Sequence, residues 1–211
     1  MNNDAKRLAG KREEDRVYEA VSKLPGVKVY RNLYVPYGRA GQTAEIDLLI
    51  ISSKAIIALE VKNYGQGLLR GSRRNYEWSL HKSKDAKPWR FWSPMKQSDK
   101  HLEVVSRFLG VPSKCCKGVV VFSDATVLKT VPRTPSCTIL NTRYLSGFLR
   151  RSFASRKPCF SPTELRRIAQ RLDAVSNVSD VTKHRHIVQV RQAERARKAE
   201  QERRRASRKK P

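Results

Sequence analysis

The sequence predicts an α/β fold: a central mixed sheet flanked by helices, followed by a basic C-terminal tail. Three features lead there. Two apolar, β-rich runs, Ala44–Ile51 and Ala55–Lys62, are joined by the polar turn Ser52-Ser53-Lys54. Helix-start and helix-stop signals alternate with strand patterns in the order helix, four strands, helix, strand, strand, helices. After about Ser176 the apolar periodicity gives way to arginine and lysine.

The first helix spans about Glu13 to Leu24, with Val17, Val21 and Leu24 on one face and Pro25-Gly26 as its stop. Val27–Val35 reads as a strand and leads into the two apolar runs. Asn63–Gly67 is a turn-rich loop, and Tyr76–His81, carrying Trp78, is a fourth strand. The polar, aromatic stretch Lys82–Trp92 reads as a connection. Ser93-Pro94 supplies a capping serine and a proline at the first helical position, so a helix runs to about Leu109, ended by Gly110 and Pro112. Gly118–Ser123 has a buried-strand pattern and Cys137–Leu140 a shorter one. Helices follow at about Tyr144–Phe153 and after the capping box Ser161-Pro162-Thr163-Glu164. Residues 13–176 thus form the domain, 1–12 an N-terminal segment, and 177–211 a tail, partly helical or disordered, with no stripe by which to dock.

Lysine and arginine number 45 against 19 acidic residues, a net charge of +26. Such an excess predicts a polyanionic partner, nucleic acid first and an anionic membrane surface second. No apolar run reaches membrane-spanning length, and the start lacks the apolar core of a secretion signal. Cys115, Cys116, Cys137 and Cys159 show no Cys-x-x-Cys or zinc spacing, so they read as reduced core fillers of a cytoplasmic protein. His81, His101, His184 and His186 show no catalytic pairing and take surface or capping roles.

The chemistry concentrates in the apolar hairpin. Strand alternation sends Glu60 and Lys62 to one face, and a turn at Ser53-Lys54 sets Asp47 opposite Glu60. Buried charges are costly unless paired or holding a metal. Phosphodiester hydrolysis needs an activated water and a sink for negative charge, and hard Mg²⁺, or Mn²⁺ in its place, meets both needs. Asp47, Glu60 and the carbonyl of Val61 are candidate ligands, and Lys62 could orient the water or neutralise the phosphorane. A plain salt bridge between Lys62 and one carboxylate is the competing reading. Glu14, on the apolar face of the first helix, is either a solvated first-turn residue or a member of the site.

These residues carry a resemblance to the nuclease-related (NERD) domain, a branch of the PD-(D/E)xK nuclease superfamily. Its carriers are Glu14-x-x-Val17, Glu45-Ile46-Asp47, Leu59-Glu60-Val61-Lys62-Asn63-Tyr64-x-Gln66-Gly67, Trp78 and Pro94-Met95-Lys96-Gln97, within residues 13–109. The resemblance implies a restriction-endonuclease-like core with Asp47, Glu60 and Lys62 at the site, joined by Glu14 and Gln97. Two positions depart from the pattern: Glu13 stands where the family has glycine, and Ser93 where it has asparagine.

The expected activity is Mg²⁺-dependent hydrolysis of phosphodiester bonds, in DNA before RNA. The alternative is a nucleic-acid-binding module that keeps the fold without cutting, and a third reading is a membrane- or ribosome-associated protein acting through its tail. Lys87, Trp89, Arg90 and Trp92 mix cations for phosphate with rings for stacking on unpaired bases, and an ordinary packed loop is the competing reading. Arg70, Arg73 and Arg74 could line a phosphate groove.

Overall fold

The computed structural model describes residues 3–38, 41–132 and 134–207. In chain order the elements are α1 (Asn3–Ser22), β1 (Lys28–Pro36), β2 (Thr43–Ile51), β3 (Ile56–Lys62), β4 (Gly67–Arg70), β5 (Glu77–His81), β6 (Trp89–Trp92) and α2 (Pro94–Leu109). Then come β7 (Cys116–Phe122), β8 (Thr126–Thr130), β9 (Cys137–Asn141), α3 (Leu145–Ala154), α4 (Pro162–Asp173) and α5 (Asp180–Ser207).

The central sheet has the order β1-β2-β3-β7-β9. β1, β2 and β3 pair antiparallel, whereas β3, β7 and β9 run parallel, so the sheet is mixed. Its middle strands are apolar on both sides because both faces are covered. On one face, Ile56 and Ala58 meet Val104, Val105 and Leu109 of α2 and Ile168 and Leu172 of α4. On the other, Leu59, Val61, Val119 and Val121 meet Val17 and Val21 of α1 and Leu145 and Leu149 of α3. Each such fully buried aliphatic side chain contributes roughly 1.5–3 kcal/mol. α2 starts where Ser93 Oγ accepts from the Lys96 amide and stops at left-handed Gly110; α4 opens on the Ser161/Glu164 capping box.

A second sheet, β6-β5-β4-β8, packs on the α2 side through Leu69, Trp78 and Leu80 against Met95, Val120 and Phe122. Of these strands the sequence predicts β5 alone. β4 and β6 have four residues each, too short for alternation to declare itself, and β8, of five residues, is an edge strand held by its parallel pairing with β4. Lys82–Trp92 is therefore not all connection: its end is the edge strand β6.

α1 also begins earlier than expected, at Asn3 rather than Glu13. Its first half carries no apolar stripe but is tied down where Asn63 Nδ2 donates to the Ala9 carbonyl at 2.9 Å. α5 turns the start of the basic tail into a docked helix. His186 is buried there, with Nδ1 3.0 Å from the Thr43 carbonyl, and Gln189 Nε2 donates to the Gly41 carbonyl at 2.8 Å. The docking is polar, which is why no apolar stripe announced it. Residues 208–211 of the tail lie outside the described residues. Among the described residues no helix is long and apolar enough to cross a membrane.

Candidate active site

The β2–β3 hairpin turns at Ser53-Lys54, where the Ser52 amide donates to the Ala55 carbonyl at 3.1 Å. Its ladder pairs Ile51 with Ile56 and ends at Leu48 with Leu59. One step further along that register, Asp47 stands across from Glu60. The strands part there, and Asp47 Oδ2 accepts the Val61 N–H at 2.7 Å. The Lys62 carbonyl accepts from Ser123 on the β7 side at 3.0 Å. Alternation therefore turns both peptide groups of Val61, carbonyl included, towards the β2 side.

β1 contributes to this parting. Its ladder with β2 skips the pair Asn32/Asp47, and Asn32 adopts a left-handed φ of 48°. Asparagine tolerates that conformation better than most residues. Tyr30 and Leu33, and likewise Ile46 and Leu49, share one core layer although three residues apart. The alternation slips by one residue at the level of Asp47.

Glu60 is only 3% exposed. Its Oε1 accepts from Lys62 Nζ and from Gln97 Nε2, the latter at 2.6 Å. Its Oε2 is buried without a hydrogen bond, and His101 Nδ1 lies 3.3 Å away. Gln97 and His101 are four residues apart on α2, so both project onto Glu60 from one helix face. His101 was expected in a surface or capping role, and the structure corrects this: it is buried against the carboxylate. The spacing from Gln97 was the signal available.

Electrostatics follow from crowding like charges in a dry place. Burial, then the charge of Glu60, pushes the Asp47 carboxyl well above its usual range, while Lys62 and the Val61 N–H pull it back. Burial works against the charged form of Lys62, but Glu60, Tyr64 and Asp47 overcome it and hold the ammonium protonated. Burial lowers the His101 value, only partly opposed by Glu60, which favours a neutral imidazole. Tyr64 is raised, first by burial.

Glu14 is half-buried, and burial followed by the charge of Glu45 raises its carboxyl, with weaker input from Glu60. Glu45 itself accepts from Tyr34 Oη at 2.7 Å and lies 3.6 Å from His186 Nε2. Glu13, the departure from the family pattern, is buried and bonded by Thr142 Oγ1, a structural use. His186, like His101, is buried rather than exposed. Arg70, Arg73, Arg74 and Lys87 are exposed on β4 and the loops of the second sheet. Trp89, Arg90 and Trp92 are on β6, with Trp89 edge-on to Tyr64 at 4.6 Å, Trp92 tilted on Tyr76 at 5.4 Å, and Arg90 4.0 Å from Glu77.

Among the described residues no three His, Cys, Asp or Glu side chains cluster around one point. A hard cation that keeps several waters needs only one or two carboxylates. The pair Asp47/Glu60 offers two carboxylates near enough for the charge of Glu60 to raise Asp47, and one Glu60 oxygen is buried without a hydrogen bond. The donors are all oxygen, the chemistry Mg²⁺ and Mn²⁺ prefer.

The sequence pattern of the nuclease-related domain (NERD) matches residues 9–123. The chain belongs to that family. Its mixed sheet with flanking helices is that of the restriction-endonuclease-like fold, and its function is nuclease-related. Comparison with curated proteins gives no match. Among solved structures, SfsA of Pyrococcus furiosus in complex with Ca²⁺ aligns at 17% identity and a TM-score of 0.26, covering 79% of this chain and 54% of that one.

Proposed function

We propose that this NERD protein hydrolyses phosphodiester bonds in DNA with Mg²⁺, or Mn²⁺, at Asp47 and Glu60. The observation that carries the reading is the convergence on Glu60 of Lys62, Gln97 and His101, beside a second carboxylate. That is more apparatus than a salt bridge needs. Asp47, Glu60 and the Val61 carbonyl would hold the ion, which when bound supplies an acidified water and neutralises phosphate charge.

The chain's own residues account for the rest. Gln97 and His101 fix the Glu60 carboxylate, and the Val61 N–H fixes that of Asp47. Lys62, held protonated, offsets the charge that grows on the phosphoryl oxygens as water adds and the P–O bond to the leaving group breaks. Glu14 lies at the edge of the same negative field and can take part in positioning water. The four free thiols suit a cytoplasmic setting.

The test is cleavage of single- and double-stranded DNA with Mg²⁺ or Mn²⁺ by the wild type, Asp47→Ala and Lys62→Ala. Metal-dependent cutting by the wild type alone supports the reading. Equal cutting by all three would defeat it, and binding without cutting by any would favour a non-cleaving nucleic-acid module.

A further inference from the structure

Resting on the phosphodiester substrate just proposed, we infer that the outer face of the second sheet is a track for the substrate's sugar–phosphate backbone. The register sets Arg70 directly across from Ser79, and Ser79 directly across from Arg90. Residues directly opposite one another share a sheet face, so the three form a row running across the strands. Their neighbours Leu69, Trp78 and Leu80 point the other way, into the core against Val120 and Phe122. The row is therefore on the outside, in an open groove of about 620 Å³ that Asn75, Glu77 and Lys129 also line.

The Gly71-Ser72 loop lines the groove. A Cβ on Gly71 would fall 2.0 Å from the Trp78 ring, so glycine lets the loop lie flat on the indole. Trp78 Nε1 donates to the Ser72 carbonyl at 3.0 Å and fixes that loop. Charge points to an anion. Arg70, Arg90 and Lys129 are exposed. Among the described residues Arg70 and Lys129 form no ion pair, and Arg90 has only the 4.0 Å contact with Glu77.

Spacing favours a repeating anion over a single phosphate. Adjacent strands lie about 4.8 Å apart, so Arg70 and Arg90, two strands apart, are about 10 Å apart at the backbone. In a B-form duplex that is roughly three nucleotides of one strand, counted along the helix axis at about 3.4 Å of rise each. The row ends on β6 at Arg90, and Trp92, directly across from Glu77, lies on the same outer face, tilted on the exposed Tyr76. Contacts of this kind hold a backbone without choosing its sequence.

The test measures fluorescence anisotropy of labelled oligonucleotides over a salt series. It compares the Asp47→Ala chain with the same chain also carrying Arg70→Ala, Arg90→Ala and Lys129→Ala. Removing three phosphate contacts should lower the log–log salt slope by about 2 and weaken binding on the order of a hundredfold at about 0.1 M salt, alike for unrelated sequences. In the otherwise wild-type chain, the triple variant should keep its unfolding midpoint and its hydrolysis of bis(p-nitrophenyl) phosphate, a diester too small to reach the groove. An unchanged slope and affinity would overturn the track, as would affinity for anionic vesicles without any for oligonucleotides. Failure of the wild type to hydrolyse the small diester would count against the catalytic reading alone, with the anisotropy still deciding the track.

Discussion

His101 Nδ1 lies 3.3 Å from Glu60 Oε2, the carboxylate oxygen that is buried without a hydrogen bond. The ring braces the oxygen left over after Lys62 and Gln97 have taken Oε1. Residues that orient a ligand in this way typically cost about 10–100-fold in metal affinity when removed. His101→Ala should weaken Mn²⁺ binding by about that factor in isothermal titration, while oligonucleotide affinity in chelator stays unchanged.

Lys62 and Glu60 form an ion pair in which the carboxylate is almost wholly enclosed. Removing one partner of such a pair leaves a buried charge and costs about 3–5 kcal/mol. Lys62→Met should lose about that much in urea unfolding without metal, and adding Glu60→Gln should restore most of it. Neither variant should cleave DNA, which separates the pair's structural part from its chemical one.

Gly118 and Gly71 are both sites of close approach. A Cβ at Gly118 would fall 2.0 Å from Ser98 Oγ but 3.4 Å from Ser98 Cβ, so turning the hydroxyl relieves it, whereas at Gly71 it would meet the rigid Trp78 ring. Overpacking of the second kind costs about 1–3 kcal/mol. Gly71→Ala should lose stability on that scale in urea unfolding, and Gly118→Ala less. An equal loss in both would show that Ser98 cannot yield.

Asp124 joins three segments: Arg16 Nη2 donates to Oδ2 at 2.9 Å, and the Arg143 amide to Oδ1 at 2.9 Å. Burial opposes its charge, but the Arg143 N–H and then Arg16 outweigh it and depress the carboxyl value. A depressed value stabilises the fold above the unfolded carboxyl pKa of about 4 and loses that contribution as pH falls through the folded value. Asp124→Asn should cost about 1 kcal/mol at neutral pH, discounted for partial exposure, and the gap to wild type should close below about pH 3. A gap independent of pH would mean that the charge is not involved.

Much of this architecture is legible in the chain because its signals are local. Alternation and the two-residue turn at Ser53-Lys54 fix the register that faces Asp47 towards Glu60, and Ser93-Pro94 and Gly110 bound α2. What escaped depends on distant partners. His101 reads as a polar residue on an amphipathic helix until Glu60, far back in the chain, is placed beneath it. The alternation slip at Asp47 originates in left-handed Asn32 on the neighbouring strand. β4 and β6 carry too few residues to show a period, β8 is an edge strand that depends on its pairing with β4, and α5 docks through buried His186 amid a basic run.

The central claim is that Asp47 and Glu60 share one divalent cation. Isothermal titration of Mn²⁺ into the metal-free protein, beside Asp47→Ala and Glu60→Ala, tests it most directly. One site in the wild type, lost in both variants, is the predicted result. Wild-type-like binding in either variant, or no binding in the wild type, would contradict it.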